Sequence, residues 1–188
     1  MKQLVFALTL TFLLFRISAQ DASVEKSTFG IQTGFLGVWA HNEPKLSNSI
    51  ALRSEFGLDA AIFGENFIGS RNLIMVPALT LEPRWYYNLN KRVTKKRRID
   101  GNSGNFVSIK TTYHPDLVLG SLPANTVFIS DITIIPTWGI RRNVGKHFTY
   151  ETGIGIGYYH LFKKDNVFLF EDENGVAVNL HLRIGYRF

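Results

Sequence analysis

The chain has no cysteine among its 188 residues. A disulfide scaffold, a cysteine-ligated zinc site, a thiol nucleophile and a lipid-anchored N-terminal cysteine are therefore excluded. After Gln20 no stretch is long and apolar enough to form a membrane-spanning helix, which needs roughly 20 such residues. His41, His114, His147, His160 and His181 show no H-x-x-x-H or similar ligand spacing, so neither a metal nor another cofactor is expected. The excess of positive charge, Lys+Arg 21 against Asp+Glu 15, is gathered in one run, which argues against a nucleic-acid partner. A mean hydropathy of +0.02 is too apolar for a disordered chain, and the length suits one domain rather than two.

The N-terminus reads as an export signal. Lys2 precedes a short apolar run from Leu4 to Phe15, broken only by Thr9 and Thr11, and Ile17-Ser18-Ala19 supplies a small-residue cleavage site. Residues 1–19 are read as a signal peptide and 20–188 as the mature domain. Losing Lys2 and Arg16 lowers the net charge from +6 to +4.

An exported chain without apolar helices is either soluble or crosses a membrane with strands. The apolar residues recur with period 2. Val176, Val178, Leu180, Leu182, Ile184, Tyr186 and Phe188 share one face, opposed by Ala177, Asn179, His181, Arg183, Gly185 and Arg187. The same alternation marks Ile50 to Ile62, Leu79 to Tyr87, Phe128 to Ile140 and Phe148 to Tyr158, with weaker strands from Phe29 to Trp39 and from Phe106 to Tyr113. These are seven segments of the length that crosses a bilayer when tilted. An eighth is sought around Val167 to Phe170, because single-chain bacterial barrels usually have an even count.

Alternation alone also suits a soluble lipocalin-like barrel around a greasy cavity. Here large aliphatic and aromatic residues fill one face, while the other mixes glycine with both signs of charge, the arrangement of a membrane barrel. Trp39, Trp85 and Trp138 each fall near the C-terminal end of an odd-numbered segment and are read as an aromatic girdle on one rim. Pro77, Pro83 and Pro136 oppose this reading, since each forfeits a ladder hydrogen bond unless it lies at a bulge or beyond the paired region.

Leu81-Glu82-Pro83-Arg84-Trp85-Tyr86-Tyr87-Asn88-Leu89-Asn90-Lys91-Arg92, Gly104-Asn105-Phe106, Tyr113-His114-Pro115, Ile135-Pro136-Thr137-Trp138-Gly139-Ile140-Arg141-Arg142-Asn143 and Tyr150-Glu151-Thr152-Gly153-Ile154-Gly155-Ile156-Gly157-Tyr158 resemble a family of small outer-membrane β-barrels of uncharacterised function. The resemblance implies an eight-stranded, all-β, up-and-down barrel of the OmpA or OmpX type in the outer membrane, and no activity. It also implies that the last strand, with its terminal aromatic Phe188, is read by the barrel assembly machinery.

Within such a barrel, Arg53, Glu55, Glu82, Arg84, Asp131, Glu151 and Arg183 are expected to form an interior charge network, because opposite charges must pair where water is scarce. Eight-stranded interiors are filled by side chains, so a plug is expected; a small pore is the alternative. A lipid-modifying enzyme is a further alternative, with Ser54 or Ser130, His147 or His160 and Glu151 as residues that would have to meet. Lys91, Arg92, Lys95, Lys96, Arg97 and Arg98 form a basic run that is either a solvated loop or a contact for anions such as lipid phosphates or acidic polymers. The expectation is a non-enzymatic barrel with a structural or interaction role in the cell envelope.

Overall fold

The structure, a computed structural model, describes residues 22–63, 72–120, 128–162 and 173–188. The signal-peptide segment and Val167 to Phe170 lie outside the described residues. Eight strands run in chain order around a closed antiparallel barrel: β1 (Ser27–Gly34), β2 (Gly37–Pro44), β3 (Ile50–Phe63), β4 (Asn72–Trp85), β5 (Asn105–His114), β6 (Asp131–Val144), β7 (Phe148–Leu161) and β8 (Glu173–Arg187). Between β4 and β5 stand a short helix, α1 (Leu89–Thr94), and a 3-10 turn (Asp100–Asn102). β8 returns to β1 with Gly30 opposite Arg187 and Gly34 opposite Arg183, which closes the barrel, while Glu173 to Leu182 of β8 pair with β7 alone.

The eighth strand arises by division of the first segment. The stretch from Phe29 to Trp39 is a hairpin, with Gly34 opposite Gly37 and Phe35-Leu36 as its two-residue turn. Gly37 has φ +149, and a Cβ there would collide with the Leu58 carbonyl, so this corner requires glycine. Partners across the turn have opposite parity but share a face. Outward residues are therefore odd-numbered on β1 (Phe29, Ile31), whereas odd-numbered residues on β2 (Trp39, His41, Glu43) point inward and are buried.

The prolines sit where the ladder allows them. The β4–β5 register passes from Leu81 opposite Thr111 to Arg84 opposite Ser108, skipping Pro83, and the β6–β7 register skips Pro136 between Ile134 and Thr137. Pro77 lies beyond the last β4–β5 pair, Leu79 with Tyr113. Each proline still pairs on its other side, with Leu52, Ile109 and Leu58 respectively.

The segment from Ala22 into β1, the end of β8, α1 and the 3-10 turn gather at one end of the barrel, the terminal end. Ala22, Val24, Ala51, Tyr86, Leu89 and Phe106 form a small apolar cluster there, with Ile99 against it. Backbone and side-chain bonds hold it: Ala22 N–H to Asn90 Oδ1 (3.0 Å), Glu25 N–H to Asn102 Oδ1 (2.8 Å) and Val24 N–H to the Asn48 carbonyl (2.9 Å). Gly101 adopts φ +55 beside Asn143 and the Arg187 guanidinium, leaving no room for a side chain. This assembly is a stopper closing the terminal end.

Candidate functional site

Burial is inverted relative to a soluble protein. Polar and charged residues outnumber apolar ones among the buried residues, and the largest fully buried side chains are Arg53, Arg84 and Arg141. Large apolar residues face outward on every strand, from Phe29 and Ile31 through Val38, Phe56, Leu81, Val107, Ile134 and Ile156 to Leu180. The greasy cavity that a lipocalin-like barrel requires is replaced by charge.

Four buried carboxylates, Glu43, Glu55, Glu82 and Glu151, meet four buried guanidiniums, Arg53, Arg84, Arg141 and Arg183, with Lys110 and Asp59 beyond them towards the opposite end. Arg84 is the hub: it grips Glu151 with two parallel bonds, Nη1 to Oε2 at 2.9 Å and Nη2 to Oε1 at 2.8 Å, and donates to Glu82 at 2.7 Å. Such fork geometry is the strongest form of this pair. Ser108 donates to the second Glu82 oxygen at 2.6 Å. Arg53 bonds Glu55 and donates to Gln32 at 2.5 Å, lying 3.5 Å from Glu43 and 3.6 Å from Glu151. Arg183 closes on Glu55 at 2.9 and 3.1 Å and stacks over the Trp39 ring at 3.8 Å.

Glu43 joins this network to the stopper. Arg141 donates to it at 2.6 Å from inside the barrel, while Tyr86 Oη–H (2.7 Å) and Asn102 Nδ2–H (2.8 Å) donate from the terminal end. An isolated carboxylate here would be prohibitively costly, and three direct donors offset that desolvation.

The expected network of Arg53, Glu55, Glu82, Arg84, Glu151 and Arg183 is therefore assembled, with one correction. Asp131 stands at the other end of the barrel, bonded to His114 Nδ1 at 3.0 Å, while His114 Nε2 lies 3.1 Å from Asp59. It starts β6, a strand length away from the inward-facing Arg141 that joins the network. Glu43, Arg141, Gln32 and Tyr86 are members that sequence reasoning missed. Glu43 lies on the undivided hairpin's second strand, and Arg141 one residue past the expected end of its segment. Continuing the inward parity of Thr137 and Gly139 would have found Arg141.

The tryptophan rim is corrected as well. Trp85 and Trp138 face outward in one row, both opposite Val107, but Trp39 is buried, donating Nε1–H to Asp59 at 2.6 Å. Tyr87 takes its place in the row, accepting from Trp138 Nε1 at 2.9 Å. The row flanks the end at which β1 begins and β8 finishes. Trp39 in turn requires Gly57, whose Cβ would overlap the indole. Gly57→Ala should cost about 1–3 kcal/mol through overpacking, read as a lower denaturation midpoint of the folded barrel.

The basic run divides. Arg92 is buried, donating from Nε (3.0 Å) and Nη2 (2.8 Å) to the Arg98 carbonyl, and so braces the loop instead of facing solvent. Arg98 pairs with Asp100 at 2.7 Å, and its hydrogen bonds hold the Asp100 carboxyl below its usual range. Lys91, Lys95, Lys96 and Arg97 remain exposed.

The residues that an acyl-transfer site would need are not brought together. Glu151 is sealed in the interior with Arg84, His147 bonds the Arg187 carbonyl, and His160 bonds Asn174. Among the described residues neither histidine hydrogen-bonds Ser54 or Ser130, and no group of three or more His, Asp or Glu is disposed to hold a metal. A cavity of about 270 Å³ lies at the end opposite the stopper, lined by Trp39, Asp59, Lys110, His181 and Arg183 and reaching Val178, Leu180 and Leu182 of β8. Comparison of the chain with family models, with curated proteins and with solved structures finds no match.

Proposed function

We propose that this chain is an integral outer-membrane β-barrel, exported by residues 1–19, whose interior is plugged by charge and whose role in the cell envelope is structural or interactive. One observation carries the reading: large apolar side chains face outward on all eight strands while salt bridges are buried inside. Leu180 is 77% exposed, Val176 73% and Ile156 66%. A soluble monomer rarely shows an apolar patch beyond a few hundred Å² (roughly 300–600). In a bilayer the same band rests against acyl chains, where backbone groups paired between antiparallel strands carry the smallest cost.

Strand length supports the same reading. β3, β4, β6 and β7 have 14 residues each, and about 9–11 tilted residues cross the hydrocarbon core. The end at which β1 begins and β8 finishes, with the stopper and the Trp85–Tyr87–Trp138 row, is read as periplasmic. Phe188 stacks 5.5 Å from Phe29 across the seam between the first and last strands, and its N–H donates to the Phe29 carbonyl at 3.0 Å. An aromatic so placed after β8 suits recognition by a barrel assembly machinery, as in small outer-membrane barrels of the OmpA or OmpX type.

Fractionation tests the reading. After expression in a Gram-negative host, the chain should sediment with the outer membrane, resist carbonate extraction, and migrate differently on SDS gels before and after boiling. Carbonate-soluble protein with a single mobility would contradict it. The plug makes a second prediction: the folded protein should be silent in planar bilayers, and stable single-channel steps would restore the pore.

A further inference from the structure

We propose that the rim of β4, β5 and β6 at the terminal end carries a binding site for the phosphate headgroup of an anionic lipid. Lys91, Lys95 and Arg97 from the β4–β5 connection converge with Arg142 of β6 on a cleft of about 530 Å³, with Arg92 and Tyr87 in its walls. Asn88 and Asn105 complete the lining, and no carboxylate takes part. Beside it, Arg98 is matched by Asp100 at 2.7 Å and Arg187 by Glu25 at 3.0 Å.

The cleft is charged but not neutralised. Arg142 is held by the Gly104 and Arg141 carbonyls at 2.7 Å each and by Asn105 Oδ1 at 2.5 Å. Arg92 is fixed by the Arg98 carbonyl. Both guanidiniums are thus oriented by dipoles and left without a counter-charge. Burial, and then the nearby Arg97 charge, lower the Arg92 pKa, as expected of a site short of an anion. Lys91, Lys95 and Arg97 make no ion pair among the described residues.

What lies beside the cleft selects a lipid over a free anion. Tyr87 belongs both to the cleft and to the outward aromatic row, with its ring 6.0 Å from Trp85 and its hydroxyl bonded to Trp138 and Asn105. A phosphate among the cations therefore places the glycerol and acyl chains over Trp85 and Trp138. An amphiphile with an anionic head uses both halves of the surface, whereas inorganic phosphate or an acidic polymer uses only the upper one.

This inference rests on the membrane reading, and the test separates the two. Full-length chain is folded into phosphatidylcholine vesicles containing a minor fraction of either brominated phosphatidylglycerol or brominated phosphatidylcholine, and tryptophan quenching is compared. The anionic lipid should be enriched beside Trp85 and Trp138 by about fivefold, with Trp39 as the unquenched interior background. Lys91→Gln/Lys95→Gln/Arg97→Gln, three exposed positions, should remove that preference, while Lys96→Gln/Lys146→Gln should keep it. Heat-modifiable migration is measured on the same samples: failure to insert defeats the membrane reading, whereas insertion with equal quenching by both lipids overturns the headgroup site alone. Saturable binding of sodium phosphate to the detergent-solubilised protein, without lipid preference in vesicles, would give the cleft to a free anion and overturn the lipid assignment.

Discussion

Glu43→Leu should destabilise the folded barrel by about 3–5 kcal/mol, the cost of leaving a buried charge without its partner. Glu43 is fully buried and holds Arg141 at 2.6 Å, Tyr86 at 2.7 Å and Asn102 at 2.8 Å, so its loss strands a guanidinium and detaches the stopper together. Glu43→Leu/Arg141→Leu should recover a substantial part of the loss, because a buried ion pair replaced by apolar volume is often close to neutral. The urea midpoint of the heat-modifiable species in vesicles reads both. A single variant within about 0.5 kcal/mol of the parent would mean that the interior is hydrated and not a plug.

Leu180→Arg distinguishes a bilayer from water around the barrel. Leu180 is the central residue of β8, facing outward opposite Ile154, and in water a substitution at so exposed a site would usually shift stability by less than about 0.5 kcal/mol. At the hydrocarbon midplane an arginine costs about 2–4 kcal/mol, falling to about 0–1 near the interface. Val144→Arg, at the terminal end of β6, is the matched control. A large loss at Leu180 with little at Val144 is the expected pair of urea shifts. Equal small effects at both sites would speak for a soluble barrel.

The barrel class was legible because a two-faced strand writes its environment into alternate residues. On β8 every even position from Val176 to Phe188 is apolar, and every one is exposed. The hairpin at Phe35-Leu36 was not legible, since two apolar turn residues extend the strand pattern instead of breaking it. Gly34 and Gly37 were the only local signal. That single omission misplaced Trp39, concealed Glu43 and His41, and moved the search for an eighth strand to Val167–Phe170.

The network was partly legible for a related reason. Parity says that Arg53, Glu82, Arg84 and Glu151 point inward, but their heights along the axis depend on register, which no sequence pattern supplies. Asp131 has inward parity and still stands a strand length from Arg141. Arg92 shows the same limit in a loop: six cations in a row look equivalent until a carbonyl, here that of Arg98, claims one of them.

The absence of cysteine allows the central claim to be tested residue by residue, because each introduced thiol is the only one. Spin labels placed singly at Val176, Ala177, Val178, Leu180, Leu182 and Ile184 in the vesicle-inserted chain should alternate. Labels at the outward positions Val178, Leu180 and Leu182 should collide with lipid-dissolved oxygen and be shielded from a water-soluble nickel chelate. The label at inward Ala177 should meet little of either. Strong collision with the nickel chelate at Val178, Leu180 and Leu182 would contradict the account, placing the apolar face of β8 in water.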